Sequence, residues 1–349
     1  MNSKNIIKNV IDFAEKSGYP LEKSVGLLYA RGGYGKFNPS AGHHIVDPIL
    51  RDECPRPPIT FSLAERCLRE TDSSKIGISN RHLSFFEMME FTQVGNPDML
   101  NFEKNTQEIY ELITNVLGLK KDKLLVTYLE DCKIDDVHIT SQETRKIANV
   151  WKNLLGEAQV IPTKGRRNLF IARIPNCAGG PGFEIYYKMV DGRYVEIASQ
   201  LNYKYIFNGQ NNISLTKNEV IAAAFGLERI LMALEEKEKI HNISLIKPLK
   251  DIVDCGKEKE LYDENAAIIA DAIRAISFIV YDSNDKELSP SQKKIFKNLI
   301  KELRTEINYL GVGDHNIYEK VVQANINLYA ERYPFLLNKK DKILETINS

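Results

Sequence analysis

Apolar residues along this chain follow two different periods, and the changes from one to the other divide it into elements. Residues 5–16, 100–118, 141–155, 258–281, 289–310 and 316–331 carry the three-to-four spacing of amphipathic helices. The second of these stops at Gly118, and the third begins with Ser141, Glu143 and Thr144 in a capping-box pattern. Bulky, alternating runs at 59–69, 81–91, 124–129 and 194–207 predict strands. The first two, ITFSLAERCLR and RHLSFFEMMEF, flank a polar loop and read as an antiparallel pair. Two further strands are expected around Ala178-Gly179-Gly180-Pro181-Gly182, which reads as a bare, tight turn. The stretch Glu219–Leu234, EVIAAAFGLERILMAL, has Ile221, Phe225, Ile230 and Leu234 at helical spacing and predicts one helix with Gly226 inside it. Glycine in a helix interior is unfavourable by about 1 kcal/mol against alanine, so Gly226 points to a close backbone approach. Residues 31–58, rich in glycine and proline, read as a long irregular loop. Residues 100–155 read as a local α/β insertion and everything beyond about 250 as a helical tail.

Composition narrows the class. A chain of 349 residues with 43% hydrophobic content supports two domains, or one large domain with an appendage. Its 47 basic and 47 acidic residues leave no excess charge to hold a long stretch of nucleic-acid backbone. Lys293, Lys294, Lys297, Lys301 and Arg304 share one predicted helix, where a solvated face is the default reading. No apolar run approaches the roughly 20 residues of a membrane span, and the N-terminus does not read as a signal peptide. Cys54, Cys67, Cys132, Cys177 and Cys255 are scattered without a CxxC pair, which fits reduced thiols in a cytoplasmic protein.

Several side chains are chemically suggestive. Arg69 and Arg81 flank the loop of the predicted hairpin, where two guanidinium groups can clamp a polyanion or simply meet solvent. Phe85 and Phe86 point to opposite faces, so one can stack on a base while the other packs inward. Arg229 projects from a rigid element suited to a phosphate or carboxylate, although a solvent-facing Glu228-Arg229 pair is the plainer reading. Glu184 and Glu196 lie on adjacent strands; they can offer oxygen ligands to Mg²⁺ or face water. His43-His44 lacks a third ligand at metal-binding spacing and reads as a surface or gate element. Trp151 reads as core.

Taken in order, these pieces resemble the catalytic half of class II alanyl-tRNA synthetases. The markers are Cys67-Leu68-Arg69, Arg81-His82, Phe85-Phe86-Glu87-Met88, Glu184-Ile185, Val195-Glu196-Ile197 and Gly226-Leu227-Glu228-Arg229. Ile269–Phe278, IADAIRAISF, resembles that family's middle domain, and Tyr333-Pro334-Phe335-Leu336 a late marker of it. The resemblance implies an α+β fold, with an antiparallel sheet of about six strands flanked by helices, and a C-terminal all-helical domain. It divides the chain into an ATP-binding catalytic domain over 1–250, with its insertion at about 100–160, and a helical domain over 251–349. It also implies ATP and Mg²⁺ as cofactors and an AMP-forming ligase that adenylates alanine or another small amino acid or carboxylate. Residue by residue, Arg69 matches the arginine on the α-phosphate and the reacting carboxylate. Arg81 and His82 match the pyrophosphate side. Phe86 and Met88 match the adenine pocket, Gly226 and Arg229 the γ-phosphate motif, and Glu196 a Mg²⁺-holding acid.

The departures lie around the amino-acid pocket. The family's ammonium-binding Asp is Ala222 here, its Trp-Asn pair is Ala198-Ser199, and its cysteine-rich turn is reduced to the segment containing Gly180. Ser199, Ala222, Glu184 and Gly180 are therefore the expected substrate-pocket residues, with Glu184 or Glu219 as candidate replacements for the lost Asp. The resemblance ends before acceptor-stem, editing and oligomerising segments, which implies a truncated, standalone relative. Its acceptor is then tRNA, a carrier protein or a small molecule. The competing expectation is a non-catalytic relative acting as a nucleotide- or tRNA-binding or regulatory subunit.

Overall fold

A computed structural model of the chain describes residues 2–31, 35–54, 59–134, 137–139, 142–170, 176–207, 213–253, 259–284, 286–312 and 316–349. Its centre is a nine-stranded, mainly antiparallel sheet in the order β1-β2-β9-β8-β7-β3-β4, with β5 on β3 and β6 on β7. The strands are β1 (Ile59–Leu68), β2 (Phe85–Gly95), β3 (Leu124–Ile134), β4 (Val137–Ile139), β5 (Val160–Lys164), β6 (Leu169–Phe170), β7 (Cys177–Lys188), β8 (Tyr194–Phe207) and β9 (Ile213–Gly226). Only β3 and β5 run parallel. The helices are α1 (Ser3–Lys16), α2 (His43–Leu50), α3 (Phe102–Glu111), α4 (Gln142–Leu155), α5 (Leu227–Leu234), α6 (Lys247–Ile252), α7 (Lys259–Ser283), α8 (Pro290–Leu310), α9 (Ile317–Tyr329) and α10 (Lys340–Asn348).

Strand alternation divides the sheet into two faces. Phe85, Met89 and Phe91 of β2 and Ala223 and Phe225 of β9 join one hydrophobic core with α1, α5 and α7. The same core continues through Leu303, Ile307, Val322 and Tyr329 of the C-terminal helices, so sheet and helical region share one apolar interior. Phe86, Met88 and Glu90 of β2, with Val220, Ala222 and Ala224 of β9, face the opposite side and line a cavity.

The structure revises several elements. Glu219–Leu234 is not one helix: β9 runs to Gly226 and α5 begins at Leu227. The spacing of four between Ile221 and Phe225 is an even number, so it keeps both residues on one face of a strand as well as of a helix. Gly226 is thus the joint between strand and helix rather than a helix-interior residue. Residues 178–182 are not a turn but part of β7. The pairing of β7 with β8 shifts register between Gly179 and Gly182, and a Cβ on Gly180 would lie 1.8 Å from the Asn202 carbonyl oxygen. The bareness of this run serves strand packing. The 31–58 loop contains α2, a short helix that Pro48 obscures in the sequence. Residues 100–155 are built into the sheet, because β3 pairs with β7. The sheet has nine strands against the six or so expected. Ser141, Cys255 and parts of the 31–58 loop lie outside the described residues. Trp151 is fully buried as expected and donates to Gln200 Oε1 at 3.1 Å. The four described cysteines are free thiols. No helix among the described residues is long and apolar enough to cross a membrane.

Candidate active site

A cavity of about 470 Å³ opens on the face of β2, β9, β8 and β7. Its walls are the start of α2 and the segment joining β1 to β2. Arg69, Arg81, His82, Phe86, Met88, Glu184, Glu196, Ser199, Ala222, Gly226 and Arg229 all line it. Residues separated by 160 positions in sequence are brought together because β9 pairs with β2, placing Met88 opposite Gly226 and Thr92 opposite Ala222. Gly180 is not among the lining residues; its place is in the close contact between β7 and β8.

Arg69 follows the last residue of β1. Its Nε donates to the Pro39 carbonyl at 2.8 Å, and its guanidinium lies 4.8 Å from the centre of the Phe86 ring. One aromatic face therefore carries a cation, in a stacking arrangement that also aims positive charge into the cavity. Arg229 stands in the first turn of α5 and donates to Glu196 Oε2 at 2.9 Å and to the Glu196 carbonyl at 3.2 Å. The His82 ring bonds Ser79 Oγ through Nδ1 at 2.6 Å, and burial lowers its basicity, which keeps it neutral near pH 7. Glu184 is raised above the ordinary carboxylate range, chiefly by burial and then by the nearby Glu196 charge, while Tyr186 Oη donates to it at 2.5 Å.

Beneath the arginines lies a buried polar network. Glu228 is not solvent-facing: it is 1% exposed, accepts from the Glu87 backbone N–H at 3.1 Å and pairs with Arg274 Nη2 of α7 at 2.5 Å. Arg274 also donates to Tyr329 Oη at 2.7 Å and to the Phe85 carbonyl at 3.1 Å. Asp271 accepts from the Ser84 N–H at 3.0 Å and from its hydroxyl. Glu87 receives Arg332 Nη1 at 2.6 Å and Tyr333 Oη at 2.5 Å. The segments IADAIRAISF and YPFL thus act here as anchors, fixing the start of β2 and the start of α5, from which Phe86 and Arg229 project.

Three lining groups were missed from sequence. Arg31 forms a buried ion pair with Asp47 of α2, Nε to Oδ2 at 2.6 Å, and its Nη1 is 2.9 Å from His43 Nε2. His43 is thereby a buried member of an ion-paired wall rather than a surface or gate residue. Burial and Arg31 depress it to about 4, so its ring is neutral. The i,i+4 pair His43 and Asp47 was the available signal. The third is Glu90, which strand alternation from Phe86 and Met88 would have located. Among the described residues no group of three or more His, Cys, Asp or Glu side chains could hold a metal ion on its own.

The family model described as "tRNA synthetases class II (A)" matches residues 27–349. The chain belongs to this family. Among curated relatives, the alanine–tRNA ligase of Thermoanaerobacter sp. (strain X514) is 25% identical over 330 residues, covering 87% of this chain and 35% of the relative. That of Nitrosomonas eutropha is 26% identical over 368 residues, covering 99% of this chain and 40% of the relative. The chain therefore spans roughly a third to two fifths of the length of these relatives. Among solved structures, the histidyl-tRNA synthetase of S. aureus aligns with a TM-score of 0.42 at 15% identity, over 69% of this chain and 68% of that one.

Proposed function

We propose that this chain is an AMP-forming ligase resembling alanyl-tRNA synthetase, which joins a carboxylate to the α-phosphate of Mg-ATP and releases pyrophosphate. The observation that carries the reading is the convergence of Arg69, stacked on Phe86, and Arg229, paired with Glu196, on one cavity. In this reading the free face of Phe86 and the side chain of Met88 receive the adenine. Arg69 holds the α-phosphate beside the carboxylate, and Arg81 and His82 take the departing pyrophosphate. Arg229 exchanges Glu196 for the γ-phosphate. Glu184 and Glu196 offer hard carboxylate oxygens of the kind that would hold a Mg²⁺. That ion supplies charge neutralisation along the triphosphate.

The carboxylate oxygen attacks the α-phosphorus, the bond to the β-phosphate oxygen breaks, and pyrophosphate leaves with the electron pair. An acceptor nucleophile then attacks the acyl carbon and AMP departs. No protein nucleophile is needed; preorganised positive charge stabilises what develops in the transition state. The acceptor is tRNA by analogy with the relatives' names, with a carrier protein or small molecule as alternatives, and the setting is cytoplasmic. A second reading, a non-catalytic nucleotide- or tRNA-binding or regulatory subunit, rests on Ala222, which offers the cavity only a methyl group.

ATP–pyrophosphate exchange over a panel of amino acids and other carboxylates separates the two. Exchange is expected for at least one compound, falling by about 100-fold or more in Arg69→Ala and Arg229→Ala, since both arginines act chiefly on transition-state charge. Mg-ATP binding without exchange for any compound, or unchanged exchange in both variants, would overturn the assignment.

A further inference from the structure

Ala222 leaves the cavity without an acid where the resemblance expects one, and Glu90 is the acid placed to replace it. Glu90 is 5% exposed and lines the cavity from the middle of β2, with Leu63 and Ala224 opposite it on the flanking strands. Thr92 Oγ1 donates to its Oε1 at 2.5 Å. Gly42, preceding α2, packs so tightly on it that a Cβ there would lie 2.3 Å from the same oxygen. Among the described residues no cation bonds this carboxylate. Three of the four arginines lining the cavity are engaged elsewhere, Arg31 with Asp47, Arg69 with Pro39 and Phe86, and Arg229 with Glu196, and the fourth, Arg81, is exposed. Burial pushes Glu90 up to about 7, and the charge of Glu65 adds to this.

A carboxylate buried without a counter-charge is unfavourable, and a group so placed in a cleft is a binding-site candidate on physical grounds. Position supports this. Four residues of strand put Glu90 roughly 13 Å beyond Phe86 on the same face of β2, and both line the one cavity. The residues placed against Glu90 are small or apolar: Gly42 packs on it, Leu63 and Ala224 flank it, and Ala222 lies on the same face of β9. They leave room for a ligand and bring no positive charge of their own.

We propose that Glu90 of β2 takes the ammonium-binding role for which Ala222 of β9 offers no acid. The proposal rests on the adenylation reading of the same cavity. Neither Glu184 nor Glu219 fills this role. Glu184 has the positive charges of Arg229 and Arg81 beside it, and Glu219 accepts from Asn202 Nδ2 at 3.2 Å outside the lining residues.

The test is pyrophosphate exchange with the twenty L-amino acids, β-alanine, and des-amino counterparts such as propionate and lactate, on the wild type and on Glu90→Gln. The amide keeps the shape and an acceptor for Thr92 while removing the charge. The best substrate is expected to carry an amine, and its des-amino counterpart to be at least about 100-fold poorer in kcat/KM, the scale of leaving a buried charge unpaired. Glu90→Gln should lower kcat/KM for that amino acid by a similar factor while KM for ATP stays within about twofold. Des-amino acids that match the amino acid, or a Glu90→Gln variant within about threefold of wild type, would overturn the proposal. The wild-type comparison of amine with des-amino compound stands even if the variant fails to fold. If no compound supports exchange, the adenylation reading fails by itself. Calorimetric titration of the same panel then decides on Glu90: an amino acid that binds the wild type about tenfold or more tighter than Glu90→Gln supports it, and equal affinity or no binding of any amine refutes it.

Discussion

Replacing Arg274 by methionine removes the cation on which the anchoring network depends. The guanidinium is fully buried and has Glu228, Tyr329 Oη and the Phe85 carbonyl as acceptors at 2.5, 2.7 and 3.1 Å, with Asp271 at 3.9 Å. Each charge-assisted bond contributes about 1.5–3 kcal/mol, offset by the desolvation of the guanidinium. Breaking a buried pair from one side therefore costs about 3–5 kcal/mol. Burial already raises Glu228 and Asp271, and Arg274 is the main influence pulling both back down. Without it their folded-state values rise further above the unfolded ones. A carboxylate raised in this way favours the folded state below its unfolded value and loses that contribution as pH rises through its folded value. The cost of Arg274→Met should thus be larger at pH 8 than at pH 5.5. Urea unfolding of wild type, Arg274→Met, Glu228→Gln and the double variant at both pH values measures it. The double variant should cost roughly 1–3 kcal/mol less than the sum of the singles. A cost under about 1 kcal/mol at pH 8, or simple additivity, would refute the role of this network.

Gly180→Ala should cost about 3 kcal/mol or more, because its new Cβ would lie 1.8 Å from the Asn202 carbonyl, strand against strand, with no flexible side chain to yield; wild-type stability in urea would contradict the packing of β7 on β8. His241 is buried with no hydrogen-bond partner on either ring nitrogen among the described residues, and burial, followed by Lys250, depresses it to about 3. Its unfolded ring protonates near 6.5, so the stability it permits is present above that value and lost as pH falls toward 3. His241→Leu should flatten the loss of stability between pH 6.5 and 4, leaving the contribution of His43, and an unchanged slope would argue against this burial.

Legibility in the sequence depended on how each residue acts. Arg69, Phe86, Met88, Glu196 and Arg229 were readable because short local patterns carry them, and the cavity brings them together. The hairpin of β1 and β2 was readable because alternation is clean where one face packs on a core. β9 was not, because a central strand buried on both faces loses alternation, and its alanines leave only a spacing of four that helix and strand share. Gly180 was misplaced because bare residues serve a turn and a close strand crossing equally well. Glu228 looked like a surface charge because its partner, Arg274, lies 46 residues away. Glu90 lies outside the short patterns, and only its parity with Phe86 and Met88 places it on their face of β2.

The central claim is that this cavity builds an adenylate. Wild-type protein incubated with ATP labelled at the α-phosphate, Mg²⁺ and each amino acid or des-amino counterpart in turn, then passed rapidly over a desalting column, tests it most directly. The account predicts a protein-bound labelled aminoacyl-AMP that appears only with an amine-bearing carboxylate and is discharged by added pyrophosphate. Labelled ATP bound unchanged with every compound, or label recovered only as ADP, would contradict it.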